Sequence, residues 1–234
     1  MAIHREKFKT FKNVFDLFTE KNIWKLINQG YFDALESPVS IGKESNIFTA
    51  LKKDGTRVIV KIYRLSNCDF NKMHQYMIED PRFVSVKRRR RDTIFGWAKR
   101  EYMNLHRARD AQVAVPTPYG VFYNILIMEM IGREQPAPKL NKQLPQDMES
   151  FLNGIIKNYQ KLYNAGLVHG DLSPFNILNE DNKPVFIDMS QSTVLENKES
   201  ENYLKRDIRN IVTFFVKHGL HITEHQLQKA ITHD

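Results

Sequence analysis

A change of periodicity near residue 131 limits the folds open to this chain more than any other feature. Upstream of it, short runs rich in β-branched and aromatic residues alternate with turn signals: Ser37–Ser40, Asn46–Leu51, Arg57–Tyr63, Gly120–Asn124 and Ile125–Ile131. Lys52-Lys53-Asp54-Gly55 is a hairpin turn between the second and third runs, and Val115-Pro116-Thr117-Pro118 enters the fourth as rigid extended chain. Downstream, Asp147–Asn164 and Tyr203–His218 have apolar residues three and four apart, and Gly166 and Gly219 follow them where a left-handed residue closes a helix. Strands first and helices afterwards predict an α+β chain, with a sheet-rich N-terminal lobe, a helical C-terminal lobe and a cleft between them for the site.

Two further helical stretches flank the strands. Phe11, Val14, Phe15 and Phe18, then Ile23, Trp24, Leu26 and Ile27, fall on one helical face within residues 5–29, which reads as two short helices, the second stopped by Gly30. Such a stripe is either a packing face or a groove for a partner. Asp69 to about Arg109 is mainly helical, broken by Pro81 and a basic block and resuming from Ile94.

Charge narrows the partners. Lys plus Arg number 35 against 27 Asp plus Glu, a net charge of +8, which favours nucleotide phosphates, RNA or an acidic protein surface. The single cysteine, Cys68, excludes an internal disulfide and a thiol-metal cluster. No run approaches the roughly 18 apolar residues of a membrane span, and the N-terminus lacks a secretory core, so a soluble, cytoplasmic protein with no membrane partner is expected.

Chemistry concentrates in His169-Gly170-Asp171-Leu172-Ser173-Pro174-Phe175-Asn176 and in Val185-Phe186-Ile187-Asp188. Asp171 and Asn176 on one loop, with Asp188 at the end of a nearby strand, can converge as oxygen ligands suited to Mg²⁺, which takes one or two carboxylates plus phosphate oxygens and water. The competing explanation is a turn-rich loop in which Asp and Asn bond locally to the backbone. Lys61 ends the run Val58-Ile59-Val60-Lys61; the ordinary explanation for a lysine at a strand end is a solvated charge, but a lysine that neutralises phosphates needs a carboxylate to hold it, and Glu101, in the helix Trp97–Leu105, is the candidate.

Taken in order, SIGKESNIF, VIVKIY, MEMIG, LVHGDLSPFNIL, IDMSQS and YLKRDIRNI resemble the protein-kinase signature set. They are more similar still to the RIO-type atypical serine/threonine kinases, and to the first RIO subfamily. The resemblance runs from about Ser37 to Gly219. It implies a two-lobed kinase fold: N-terminal helices at 1–36, an N-lobe at 37–131 and a reduced C-lobe at 132–234. It further implies that Asp171 is the catalytic aspartate, that Asn176 and Asp188 bind Mg²⁺ or Mn²⁺, and that Lys61 contacts the ATP phosphates. Glu129, Met130 and Ile131 would meet adenine, while Ser40, Lys43 and Ser45 would belong to the phosphate-covering loop. Some members of the family act mainly as ATPases through a phosphoaspartate, which makes Asp188 the candidate acceptor as well. The family acts in maturation of the small ribosomal subunit, so pre-ribosomal RNA is an implied partner.

The departures from ordinary protein kinases also carry information. The cover loop has Gly42 where three glycines are usual, Gly170 stands in place of the arginine of HRD, and Asp188-Met189-Ser190 stands in place of DFG with no APE motif after it. Control through a phosphorylated activation loop and an ordinary peptide-binding lobe are therefore not expected.

Other residues keep two readings. The block Arg82, Lys87, Arg88, Arg89, Arg90 and Arg91 is a solvated, mobile loop or an RNA-contacting one, and Ser85 within it is a candidate autophosphorylation site. His169 either holds loop geometry or transfers a proton. Asp207 either anchors the catalytic loop through backbone N–H groups or lies on an exposed helical face. Two rival functions are compatible with the same residues: a small-molecule kinase acting on aminoglycosides or choline, and a non-catalytic RNA-binding scaffold.

Overall fold

A computed structural model describes residues 15–66, 68–83 and 85–232. In chain order its elements are α1 (Leu17–Asn28), β1 (Ala34–Ile41), β2 (Ser45–Leu51), β3 (Arg57–Tyr63), α2 (Phe70–Ile78), α3 (Arg90–Asp110), β4 (Pro118–Phe122), β5 (Ile125–Glu129), α4 (Met148–Asn164), β6 (Leu167–Val168), β7 (Ile177–Glu180), β8 (Lys183–Phe186), β9 (Thr193–Val194), α5 (Ser200–Lys217) and α6 (Glu224–Thr232). Strands β1 to β5 form one antiparallel sheet in the order β1-β2-β3-β5-β4, and two small two-stranded sheets, β6-β9 and β7-β8, sit among the later helices. This is the expected α+β architecture.

The prolines fall where a sheet tolerates a missing donor. Pro38 lies in β1 and Pro118 in β4, the two edge strands, each beside an irregularity of register. The central strand β3 is apolar on both faces because both are covered. Val58, Val60 and Ile62 pack with Ile125 and Ile127 against Ile23 and Leu26 of α1, whereas Tyr63, Leu126 and Met128 join the larger core with Trp97, Ala98 and Leu105 of α3. Lys61 is the buried charge in this strand, and alternation turns it toward α3.

Asp16 caps α1, its carboxylate accepting from the N–H groups of Phe18 and Thr19, and Gly30 ends the segment at φ +81°. The apolar stripe of α1 is a packing face. The earlier of the two expected N-terminal helices falls largely within residues 1–14, outside the described residues. The basic block is more ordered than a solvated loop: α3 starts at Arg90 rather than Ile94, and Arg82 turns inward onto buried Asp80. The block has no proline to keep Arg90 and Arg91 out of the helix, and each guanidinium rests over a ring, Phe70 and Phe18 respectively. The strands β6, β7 and β9 were not expected from periodicity, because runs of two to four residues give no pattern. Helix α6 was not expected either, since its stripe reduces to two buried apolar residues, Leu227 and Ile231. Among the described residues no helix is long and apolar enough to cross a membrane.

Candidate active site

Lys61 sits at the middle of the sheet, opposite Ile47 of β2 and Leu126 of β5, and is 3 % exposed. A buried ammonium must be paired. Its Nζ donates to Glu101 Oε1 at 2.9 Å and to Asp188 Oδ1 at 2.8 Å. Burial alone would lower the lysine pKa, but the two carboxylates raise it, so the ammonium stays charged. Tyr63, two residues on along the same face of β3, donates to the other oxygen of Glu101. The carboxylate that the sequence offered for Lys61 is therefore held from both sides, 40 residues away in the chain.

Asp188 follows β8 with a left-handed backbone, φ +63°, a conformation that costs a non-glycine residue energy and is tolerated where a side chain must be aimed. Burial would raise its carboxyl, but Lys61 and the bonds from Lys61 and Ser190 Oγ, the latter at 2.7 Å, bring it down to about 2. Both donors converge on Oδ1. Oδ2 takes no hydrogen bond from the described residues.

The loop 169–176 is held from below by α5. Asp207, fully buried, accepts from Gly170 N at 2.8 Å, Leu172 N at 2.7 Å and Tyr159 Oη at 2.7 Å. This decides between its two readings in favour of the anchor, although burial pushes its carboxyl up to about 7 against those donors. Arg206 donates to the Gly170 carbonyl, and Asn210 Nδ2 donates to Leu172 O at 3.0 Å. Gly170 has φ +79°, and a Cβ there would meet the Gln191 carbonyl at 2.9 Å. An arginine at this position would be strained and obstructed; the guanidinium beside the loop comes from Arg206 instead.

His169 is likewise structural. It is fully buried, its Nδ1 accepts from Asp171 N at 3.3 Å, and its Nε2 lies 3.1 Å from Ile187 O, so the neutral tautomer with the proton on Nε2 satisfies both contacts. Burial lowers its pKa to about 4. Both ring nitrogens are taken by backbone groups, which leaves the imidazole no free edge for a substrate.

Asp171 and Asn176 lie at the open side of this assembly. Asn176 Nδ2 donates to Asp171 O at 2.8 Å and to Asp171 Oδ2 at 3.1 Å, leaving the amide oxygen as the group for a cation. Burial and the nearby Asp188 charge raise the Asp171 carboxyl, while Arg206 and the Asn176 bond oppose them. Two carboxylates and one amide oxygen are thus gathered, and among the described residues no set of three His, Cys, Asp or Glu side chains forms a closed metal cage. That donor set fits Mg²⁺, which leaves the rest of its shell to phosphate and water.

The flanks are looser. Ser40 and Lys43 are exposed and Ser45 half-buried around the β1–β2 turn, where Gly42 N donates to Ser45 O at 3.0 Å. The turn also brings in Glu44, which no sequence motif singles out; burial and the Asp188 charge raise its carboxyl. At the end of β5 the Glu129 carboxylate accepts from Thr117 N and Oγ1, and the Ile131 carbonyl accepts from Ala137 N at 2.8 Å. Among the described residues the backbone N–H groups of Met130 and Ile131 have no partner. Ser85 is exposed between α2 and α3 and shares none of these bonds.

Comparison with known proteins agrees with this assembly. The family profile of the RIO domain matches residues 46–228. The RIO-type serine/threonine-protein kinase Rio1 of Haloferax volcanii is 36 % identical over 98 % of this chain and 79 % of its own length. The protein of the same name from Methanocaldococcus jannaschii is 38 % identical over 97 % of this chain and 78 % of its own. In fold, the chain is similar to the crystal structure of the Rio2 kinase-ADP/Mg²⁺-phosphoaspartate complex from Chaetomium thermophilum, with TM-score 0.68 at 20 % identity, covering 91 % of this chain and 66 % of that one. The expected two-lobed kinase fold of the RIO type, with its buried Lys61–Glu101 pair beside Asp171, Asn176 and Asp188, is the one observed, and the chain belongs to the family of RIO-type serine/threonine-protein kinases, alongside the archaeal Rio1 proteins.

Proposed function

We propose that the protein transfers the γ-phosphoryl group of ATP, in the presence of Mg²⁺, to a serine or threonine hydroxyl, and to water when no acceptor is bound. The observation that carries this reading is the convergence of Lys61, Glu101 and Asp188 through bonds of 2.8 and 2.9 Å next to Asp171 and Asn176. Lys61 is positioned for the phosphates nearest the adenosine, and the free N–H groups at Met130 and Ile131 suit an adenine edge. Asp171 takes the proton of the attacking hydroxyl, its raised pKa improving it as a base. Asn176 Oδ1 and the Asp188 carboxylate would hold Mg²⁺, which when bound neutralises charge on the transferring group. As the γ-phosphorus–oxygen bond to ADP breaks, a new bond forms to the acceptor oxygen.

Asp188 is also the proposed transient acceptor. Oδ1 is tied to Lys61 and Ser190, and Oδ2 is the oxygen left to attack, giving an aspartyl phosphate that water then cleaves. The fold neighbour from Chaetomium thermophilum bears a phosphoaspartate by its description. Incubation of a Ser85→Ala background with γ-labelled ATP, followed by hydroxylamine, tests this: label lost to hydroxylamine and absent once Asp188→Ala is added supports it, and label that hydroxylamine leaves wholly intact, or none before Asp188→Ala, refutes it.

The partner reading is RNA of the maturing small ribosomal subunit in the cytoplasm. The net charge of +8 and the exposed Lys87, Arg88 and Arg89 support it; Arg82, folded onto Asp80, takes no part. Replacing Arg88 and Arg89 by alanine should weaken binding to rRNA fragments and flatten its salt dependence, and unchanged values would dismiss the idea. Ser85, exposed beside these cations, is the proposed autophosphorylation site, to be checked by mass spectrometry after incubation with MgATP.

A further inference from the structure

The chain buries a second polar cluster, apart from the groups that surround Lys61. Asp80, just beyond α2, is completely buried, and its carboxylate accepts from Arg82 Nε at 2.9 Å and Arg82 Nη2 at 2.7 Å, lies 3.4 Å from Arg100 Nε, and accepts from Thr193 Oγ1 at 3.2 Å. One carboxylate thus supports two guanidiniums, one of them, Arg100, with no exposed surface. Removing it would leave Arg100 as a buried cation with only carbonyl partners, which the structure could relieve only by moving the arginine.

Those carbonyl partners lie in the strip of backbone after Asp188. Arg100 donates to Ser192 O at 3.2 Å and Gln191 O at 3.3 Å, and Asn104 Nδ2 donates to Met189 O at 2.9 Å and Ser192 O at 2.7 Å. Arg82 reaches both sides, donating to Asn104 Oδ1 at 2.9 Å and to Ser192 O at 3.4 Å. Arg100 also donates to Tyr76 O of α2 at 2.8 Å. Arg100 and Asn104 are one turn apart in α3 and share a face, while Glu101, about 100° round the same helix, reaches Lys61. A single helix therefore carries the partner of Lys61 on one face and the donors for residues 189–192 on another. The three carbonyls held belong to the first four residues after Asp188, a residue already in a strained left-handed conformation that needs support on its C-terminal side.

We propose that Asp80 and Asn104 are positioning residues for phosphoryl transfer. Together with Arg82 and Arg100 they fasten the backbone after Asp188 to α3, so that Asp188 and Glu101 keep one spacing about Lys61 without any phosphorylated activation loop. Neither residue touches nucleotide; both act through carbonyls on the aim of the Asp188 carboxylate. The inference rests on the phosphoryl-transfer reading above.

The test uses the full chain as wild type, Asp80→Asn, Asn104→Ala and Asp171→Asn, with two readouts. One is steady-state ATP turnover; the other is affinity for a fluorescent ADP analogue in EDTA and in Mg²⁺. Asp80→Asn and Asn104→Ala should lower kcat by about tenfold or more, since small misplacements of catalytic groups cost that much. Affinity in EDTA should stay within about twofold, and the tightening that Mg²⁺ produces in the wild type should be largely lost. A fall in EDTA affinity that parallels the fall in kcat would mean general loosening and overturns the proposal, as would wild-type kcat and Mg²⁺ response in both variants. If Asp80→Asn does not fold, Asn104→Ala, which leaves the Asp80 ion pairs intact, decides alone. Wild-type turnover by Asp171→Asn would instead overturn the phosphoryl-transfer reading itself.

Discussion

The turn at Gly42–Ser45 and the loop at His169–Asn176 border the same Lys61–Asp188 pair, yet they are fastened very differently. The turn is held by Gly42 N to Ser45 O at 3.0 Å, Arg64 N to Glu44 O at 2.9 Å and Arg64 Nη1 to Gly42 O at 3.3 Å, and its Lys43, like Ser40 near the end of β1, is exposed. Five of the loop's eight residues, His169, Gly170, Leu172, Pro174 and Asn176, are bonded by groups from elsewhere in the chain, with Asp207, Arg206 and Asn210 reaching it from α5 and Ser192 Oγ donating to His169 O at 2.9 Å. Groups that must hold a geometry to within fractions of an ångström for a proton to move are fixed by buried bonds; groups that must part to admit a nucleotide are tied lightly. Substitutions should therefore act on rate and stability in the loop and on nucleotide affinity in the turn.

The largest effect should come from the loop's reacting carboxylate. Asp171→Asn keeps the shape and the Asn176 contact but removes the base, so kcat for phosphoryl transfer should fall by about 10²–10⁴ with the ATP KM little changed. Steady-state kinetics at saturating Mg²⁺ would check this, and a large rise in KM would blur the contrast with the turn.

Next is the loop's anchor. Asp207→Ala orphans two buried backbone N–H groups and the Tyr159 hydroxyl, which should cost on the order of 4 kcal/mol in urea unfolding and at least about 10² in kcat. Tyr159→Phe, which removes one donor to Asp207 and a long contact of 3.4 Å from His169 N, should cost only about 1–2 kcal/mol.

A third effect is a pH dependence placed in the loop by His169. Its pKa falls from 6.5 to about 4 in the folded chain, so between those values the unfolded chain binds the extra proton and the folded one does not. The contribution to stability is complete above pH 6.5 and is lost as the pH falls toward 4, by at most about 3 kcal/mol. The difference between urea midpoints at pH 7 and pH 5 should shrink in His169→Gln. An unchanged difference would locate the acid sensitivity elsewhere.

The smallest effects belong to the turn. Lys43→Ala and Ser45→Ala should leave unfolding within about 0.5 kcal/mol of wild type, because neither side chain makes a buried bond, and should raise the ATP KM a few-fold at constant kcat. A loss of kcat instead would mean that the turn takes part in the reaction and that turn and loop do not divide the work so cleanly.

Much of this is legible in the amino-acid sequence. The β2–β3 hairpin and the helix capped by Asp147 and closed by Gly166 follow from local chemistry, turn residues and caps that act within a few positions of themselves, whereas Lys61, Asp171, Asn176 and Asp188 stand out through the order of the motifs that resemble the kinase set. What stays hidden is everything set by the proximity of residues distant in the chain. Nothing in the periodicity of Arg90–Asp110 distinguishes Arg100 and Asn104 from solvated helix residues, yet both are fully buried, with partners 85 to 92 positions away. The same holds for Arg206, which supplies the cation that Gly170 cannot carry, and for Glu44, which the turn brings under the influence of Asp188.

Which groups can do chemistry was set by the order of amino acids alone, because a carboxylate, an amide or an ammonium brings its reactivity wherever it is placed. How those groups are charged and aimed was settled by the folded chain. Burial sets the solvation of each ion, and the bonds that fix Asp188, Glu101 and Asp207 join elements far apart along the chain, a distance that local propensity does not encode.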